Sequence, residues 1–472
     1  MVGLLWSLPA WATGDAVEHH VSGGVTFLFF LILVGLIASL ALEERLHAKK
    51  SLIAGVFAII SLLLGAAFGI LPFGPVTNVF GESLSMPVYI PGIDWGVIAI
   101  ILGSSLFVDV TSRSGLFTWI ALRLTRASSG DPWRLLMYYG LMTVIFSAVL
   151  NNVTAMIIVG SLSAVSLKRL GRQEQLLGFL MIEGLLTNIG GLLTLISSVP
   201  NIIVGTTANI SFVDFFVAAA PFVVVATIVT LIFGAWQFGI NRLKTDSEKQ
   251  AALLRVEEFD ENDGIESVGF FRLSAVMLVL FILFIATTSA LPVISDLGMG
   301  FVAMAFGVLM LIRYRHDVDE FYRAIDWDLL GFFAALFVVI NVMEHARVLG
   351  AIGVVLEWVI GLGDVGGASV LLVASAVFSS VTDNIPLAAM LARILDQLGT
   401  PSDSPLWWSV VFGANLGGNI TPIGSASTLV AVTIMHKHDL KISFAGFVRK
   451  AAPYAAVQIF IALFYVLFFL QG

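Results

Sequence analysis

Phe146-Ser147-Ala148-Val149-Leu150-Asn151-Asn152 recurs 232 positions later as Phe378-Ser379-Ser380-Val381-Thr382-Asp383-Asn384. At the same offset, Asp94-Trp95 at the head of one apolar run matches Asp326-Trp327 at the head of another. A third pair follows at an offset of 227, where Thr187-Asn188-Ile189-Gly190-Gly191 matches Ala414-Asn415-Leu416-Gly417-Gly418. Polar clusters that end apolar runs are costly unless they line a site. Doubled halves with interrupted helices point to a secondary transporter.

The composition sets the solvent. Of 472 residues, 58% are hydrophobic and 12% charged, about half the charge of a soluble domain. Many runs reach the ~20 apolar residues needed to cross a ~30 Å hydrocarbon core. The fold class expected is therefore an all-α polytopic membrane protein. The chain has no cysteine, which excludes disulfides, thiolate metal sites and cysteine nucleophiles. The net charge of −8 carries little weight, because in a bilayer the placement of charge matters more than its sum.

Placement is informative. From an outside N-terminus, 22 of the 24 Lys and Arg residues fall on one face, leaving Arg347 and Arg393 on the other. Both termini are then extracytoplasmic, and the location expected is the inner (plasma) membrane, crossed many times. Asp94 enters the bilayer from outside and Asp326 from the cytoplasm, so the halves form an inverted repeat. Segments 133–167 and 366–397 read as re-entrant helical hairpins, tolerable only where protein or water satisfies the turn. The expected organisation is a signal or extracytoplasmic segment over 1–22, where Ala10-Trp11-Ala12 matches an A-x-A cleavage pattern. An extra helix over 23–50, a first repeat over 51–237, a cytoplasmic linker over 238–270 and a second repeat over 271–472 follow. The acidic linker reads as a solvated tether. Segments 115–124 and 349–361 are too short to span and read as interfacial helices.

The residues able to carry chemistry sit at the interruptions. Asn151, Asn152 and Thr154 at one hairpin turn face Asp383, Asn384 and Pro386 at the other. An amide both donates and accepts, so it can replace water around a cation or an oxyanion, and Na+ is expected near Asn152 and Asn384. Helix N-termini beyond each turn suit an anion. The second cluster comprises Thr187, Asn188, Gly190, Gly191, Thr194, Ser198 and Asn201. Its counterpart comprises Asn415, Gly417, Gly418, Asn419, Thr421, Ser425 and Thr428. Adjacent glycines uncover backbone, and Pro200 and Pro422 prevent a continuous helix. Intramembrane carboxylates are functional candidates by default, and Asp383 and Glu183 are the candidates for coupling to H+ or Na+. Asp109 and Glu344 lie near helix ends and read as interfacial. None of the seven histidines sits at metal-ligand spacing with carboxylates, so no resident metal or cofactor is expected. No P-loop, nucleophile or zinc motif appears, which argues against an enzyme; no nucleic-acid partner is expected.

With these motifs in order, the chain resembles the ion transporter superfamily. The resemblance is to the branch of arsenite permeases and the mammalian P protein, with its citrate-transporter-like domain and divalent anion/Na+ symporter relatives. It is carried by Ser147 through Thr154, by Glu183 through Gly191, by Asp383 through Pro386 and by Leu416 through Thr421, and covers roughly residues 50–470. It implies an elevator-type or rocking exchanger, a homodimer, with an ion site between the hairpins. Two positions depart from the family pattern. Asn151 stands where the family carries Asp, and Ser197-Ser198-Val199-Pro200-Asn201 replaces Gly-Asp-Pro-Pro-Asn. The first half thus lacks two carboxylates.

Three functions follow as expectations. The first is a secondary active transporter of a small inorganic or carboxylate anion, or of neutral arsenite or antimonite, coupled to H+ or Na+. The second is a Na+/H+ antiporter in which Asp383 and Glu183 share a cation site. The third is a non-transporting membrane scaffold.

Overall fold

The computed structural model describes residues 21–77 and 80–470. The segment expected over 1–22 lies, but for its last two residues, outside the described residues. Among these, one two-stranded ribbon, Val76–Thr77 with Ser83–Leu84, interrupts an otherwise helical chain. Among the described residues, eight helices are long and apolar enough to cross a bilayer. Their outward stripes are apolar: Val224, Ile228 and Ile232 on one helix and Phe460, Phe464 and Phe468 on another are exposed at helical spacing, as a lipid-facing surface requires.

The helix order doubles. After Gly23–Ala41 come Lys50–Ala67, Trp95–Ser112 and the short arm helix Leu116–Ala127. Hairpin 1 (Pro132–Val149 and Asn152–Arg169), broken pair 1 (Leu176–Gly190 and Val199–Thr207) and Phe212–Gln237 complete that half. After Val268–Thr287 the same series runs Ile294–Leu311, Trp327–His345 and the arm Val348–Ile360. Hairpin 2 (Gly363–Val381 and Asn384–Gln397), broken pair 2 (Pro405–Gly417 and Ala426–Lys437) and Phe444–Phe469 close it. Counted this way, Gly23–Ala41 takes the place in the first half that Val268–Thr287 takes in the second. The protein is an all-α polytopic membrane protein of two inverted repeats with re-entrant hairpins and broken helices.

The helices sort into a frame and a core, each woven from both halves. In the frame, Trp95–Ser112 packs on Ile294–Leu311, and Trp327–His345 packs on Lys50–Ala67. Small residues permit this approach: a Cβ on Gly103 would lie 2.3 Å from the Ala303 carbonyl carbon. Phe107 stacks on Phe281 with ring centroids 4.5 Å apart, sealing the second-half side of the frame. In the core, Ala426–Lys437 crosses onto hairpin 1 and Leu176–Gly190, while Asn384–Gln397 packs on Val199–Thr207. Exchange of these elements between halves brings the four interruptions together.

The linker is more than a tether. Thr245 and Glu248 form a capping box that starts helix Asp246–Glu257. Val256 and Phe259 are buried, and Arg255 donates to the Leu170 carbonyl at 2.5 Å. Glu261 accepts from Arg123 and Arg126 of the first arm helix at 3.0 and 3.1 Å. Two apolar residues in an acidic run were enough to dock it, a signal that net charge concealed.

Candidate functional site

Each interruption is made by local chemistry. At the tip of hairpin 1, Leu150 turns extended (φ −101°, ψ 164°) and the Asn151 side chain caps the next helix by accepting from the Thr154 N–H at 2.8 Å. At the tip of hairpin 2, Thr382 is extended (φ −126°, ψ 164°) and Asp383 accepts from the Ile385 N–H at 3.0 Å. The broken pairs restart at extended Ser198, followed by Pro200 in the first turn, and at extended Ser425, which caps Thr428.

All four restarting helices aim their N-termini at one cavity of about 450 Å3. Asn151, Asn152 and Thr154 line it from hairpin 1, Asn384 and Ile385 from hairpin 2. Ser198 and Pro200 contribute from broken pair 1, Ser425 and Ser427 from broken pair 2, with Asn188 between them. Each N-terminus carries roughly half a positive charge on its free N–H groups, so this wall attracts an anion. The facing wall belongs to the frame and includes Ser105, Asp109, Ser112 and Asp326. Among the described lining residues there is no Lys or Arg, so the carboxylates of Asp109 and Asp326 supply the only formal charge.

Behind the cavity wall the amides form a two-fold network. Asn188 donates to the Asn419 Oδ1 at 2.8 Å and the Ser425 hydroxyl at 2.9 Å, and accepts from Ser427 at 3.0 Å and from Asn152 at 3.4 Å. Its repeat counterpart Asn415 accepts from Ser198 at 2.7 Å and donates to Asn201 at 2.9 Å. The Ser425–Asn188 and Ser198–Asn415 bonds are one contact seen from the two halves. Other pairs repeat likewise. Thr194 and Thr421 donate to the carbonyls of Ala148 and Ser380 at 2.5 and 2.6 Å, tying each broken pair to its hairpin tip. Asn201 donates to the Gly191 and Thr194 carbonyls at 2.6 and 2.9 Å, and Thr428 takes the same place beside the Gly418 and Thr421 carbonyls. Buried carbonyls freed by a broken helix are thereby satisfied.

The remaining sequence candidates fall away from the cavity. A Cβ on Gly190 would lie 2.6 Å from the Val144 carbonyl oxygen and one on Gly191 2.5 Å from the Asn152 amide. On Gly417 it would lie 2.2 Å from the Ala376 carbonyl oxygen, and on Gly418 2.9 Å from the Ser425 Cβ. These glycines admit neighbouring backbone or side chains at the space a Cβ would fill. Thr187 is buried, and its carbonyl accepts from Ser147 at 2.6 Å. Glu183 is fully buried and accepts from the Ser163 hydroxyl, while its Oε2 has no hydrogen-bond partner among the described residues. Asp383 faces away from Asn384 into a second pocket, where it pairs with Lys50. Neither of these two pockets brings Asp383 and Glu183 together.

A family model for citrate transporters (CitMHS) matches residues 40–413, most of the chain and both hairpins. The chain belongs to the citrate-transporter family. Among its relatives, an uncharacterized transporter of Mycobacterium bovis is 30% identical over 381 residues, covering 79% of this chain and 86% of that protein. The human P protein is 24% identical over 510 residues, covering 90% of this chain and 60% of its own length. The crystal structure of the Alcanivorax borkumensis YdaH transporter, described as having an unusual topology, superposes with a TM-score of 0.59 at 14% identity, over 89% of this chain and 98% of that one. That likeness concerns the fold.

In this citrate-transporter family member Asp109, which reads from sequence as interfacial, and Asp326 both line the cavity, and further groups next to it gave weak sequence signals. Lys50, which pairs with Asp383 in the second pocket, stood out in the sequence only as one of the 22 basic residues on the cytoplasmic face. Ser427, beside Ser425, gave no separate signal. Gln458, buried in Phe444–Phe469, accepts from Asn419 at 2.8 Å and donates to Thr230 at 2.9 Å. A lone amide in so apolar a helix was the available clue.

Proposed function

We propose that this membrane transporter carries a small oxyanion, carboxylate or inorganic, by alternating access, with H+ or Na+ as the coupling ion. The observation that carries the reading is the convergence of four helix N-termini on one amide- and hydroxyl-lined cavity. That wall favours negative charge without a Lys or Arg, whose tight pairing would slow release. The cavity volume lies within the range typical of small-molecule sites. Asp109 and Asp326 opposite disfavour a bare multivalent anion and favour one accompanied by a cation or partly protonated. By the positive-inside topology these two residues lie at the cytoplasmic ends of their helices, so we read the present conformation as open towards the cytoplasm. Neutral arsenous acid remains compatible with the hydroxyl and amide wall.

No observation favours a Na+/H+ antiporter built on a site shared by Asp383 and Glu183, whose partners are Lys50 and Ser163. The test is uptake of labelled citrate, phosphate and arsenite into proteoliposomes under imposed Na+ or pH gradients. One solute should accumulate with a gradient and lose at least tenfold in rate in Asn152→Ala and Asn384→Ala. Gradient-driven Na+/H+ exchange without flux of any oxyanion would sink the proposal.

A further inference from the structure

Beside the solute cavity lies a second pocket of about 360 Å3, separated from it by the tip of hairpin 2. The two pockets share Ser425 and Ala426. Asn384 faces the first and Asp383 the second, so neighbouring residues serve different compartments. The second pocket holds both signs of charge: Glu43, Arg45, Lys50 and Asp383 line it. The Lys50 ammonium, at the start of a frame helix, is paired with the Asp383 carboxylate on the hairpin. It also stands 3.9 Å from the Glu43 carboxylate.

The two-fold makes this pairing stand out. Ser51 packs on Asp328 and Gly331, its hydroxyl donating to Asp328 at 2.5 Å. In the other half Gly300 packs on Gly96 and Ala99, which lie 232 positions before Asp328 and Gly331. Ser51 and Gly300 are therefore equivalent, and Lys50 takes the place of Met299. The equivalent of Asp383 is Asn151. At equivalent positions one half thus carries an uncharged tip residue, Asn151, and an uncharged frame residue, Met299, where the other carries an acidic tip paired with a basic frame residue. The charges occur together and on one side only. A carboxylate at a helix N-cap needs no lysine for capping, since Asn151 caps as well. The surplus is a charge-compensated carboxylate beside the solute cavity.

We propose that Asp383 is a monovalent-cation site of which Lys50 is the built-in occupant, and that Na+ binds by displacing the Lys50 ammonium towards Glu43. Both carboxylates keep a cation: Asp383 takes Na+, the ammonium moves to a carboxylate already within ion-pair distance, and the pocket gains the single charge of the bound ion. Because Lys50 belongs to the frame and Asp383 to the hairpin, the internal pair fastens the two bodies together, whereas a bound Na+ travels with the hairpin. The inference deepens the coupled-transport reading and rests on it for its consequence in flux, but its test is a binding measurement independent of solute.

Purified full-length protein in detergent is titrated with NaCl at constant ionic strength (choline chloride as balance), and the thermal unfolding midpoint is followed. Lys50→Met should respond to Na+ at concentrations at least tenfold lower than the parent, because the internal competitor is gone. Lys50→Met/Asp383→Asn should not respond. To separate charge from folding, Lys50→Cys is compared before and after reaction with an aminoethyl methanethiosulfonate, which restores an ammonium on the folded protein. The chain has no other cysteine, so the reagent has one target. Modification should raise the Na+ concentration required back towards that of the parent, whereas a neutral methyl reagent should not. An unaltered Na+ response in Lys50→Met, a response that survives loss of Asp383, or equal effects of the charged and neutral reagents each overturn the proposal. Absence of oxyanion flux would count against the solute reading alone.

Discussion

Replacing Asn188 by Ala tests whether the amide network holds the two halves together at the site. Asn188 is fully buried and makes two short donor bonds and one short acceptor bond, all to residues of the second half. After truncation the Asn419 Oδ1 keeps no other donor among the described residues, whereas Ser425 and Ser427 still bond each other at 3.1 Å. One stranded buried acceptor costs about 1–3 kcal/mol, and the two bonds lost with partners still satisfied cost about 0.5–1.5 kcal/mol each. The expected loss is therefore about 2–6 kcal/mol, read as a shift in a reversible denaturant titration in micelles. A double-mutant cycle isolates the contact. Asn188→Ala and Asn419→Ala should couple by about 1 kcal/mol or more, while Asn188→Ala and Glu261→Gln, which share no partner, should add within about 0.5 kcal/mol. Additivity of the first pair would show that the Asn188–Asn419 contact does not hold the two halves together.

Gly417→Ala should destabilise by about 1–3 kcal/mol, because its Cβ would meet the Ala376 backbone. Gly350→Ala, in an arm helix with open space around its Cβ, should stabilise by about 0.5–1 kcal/mol, and thermal melts of the two proteins compare them directly. Glu261→Gln removes exposed ion pairs to Arg123 and Arg126, so stability should fall by under about 1 kcal/mol, less in high salt, while limited proteolysis of the linker quickens. Glu183→Gln keeps an acceptor for Ser163 and removes a buried ionisable group, so the protein should fold at least as stably. If Glu183 carries the coupling proton, the pH-driven part of solute uptake disappears in that variant while uptake at equilibrium exchange persists.

The doubled architecture was legible because its signals are local: an Asp-Trp start, a polar turn between apolar runs and a Gly-Gly break each recur in order. Once the halves are seen as inverted, Asn152 and Asn384 must approach from opposite leaflets, and the grouping of Asn188 and Ser425 beside them follows. The pairing of Lys50 with Asp383 was not legible, because the partners are 333 positions apart and Lys50 adjoins a loop whose basic residues satisfy the positive-inside rule anyway. The docking of the linker was hidden by composition, since Val256 and Phe259 are outnumbered by charge. The glycines misled for a physical reason: in a membrane protein, bare backbone serves close packing as readily as it serves a ligand. Only the direction in which each absent Cβ would point separates the two uses.

Asn152 and Asn384 line one cavity, and the proposed transport requires both to face the same solute. The absence of native cysteine makes single Asn152→Cys and Asn384→Cys variants clean reporters, and the decisive measurement is the rate at which each is alkylated across a series of solute concentrations. A shared compartment predicts protection of both thiols with the same half-maximal concentration. Protection of one thiol without the other, or rates that ignore every transported solute, would contradict it.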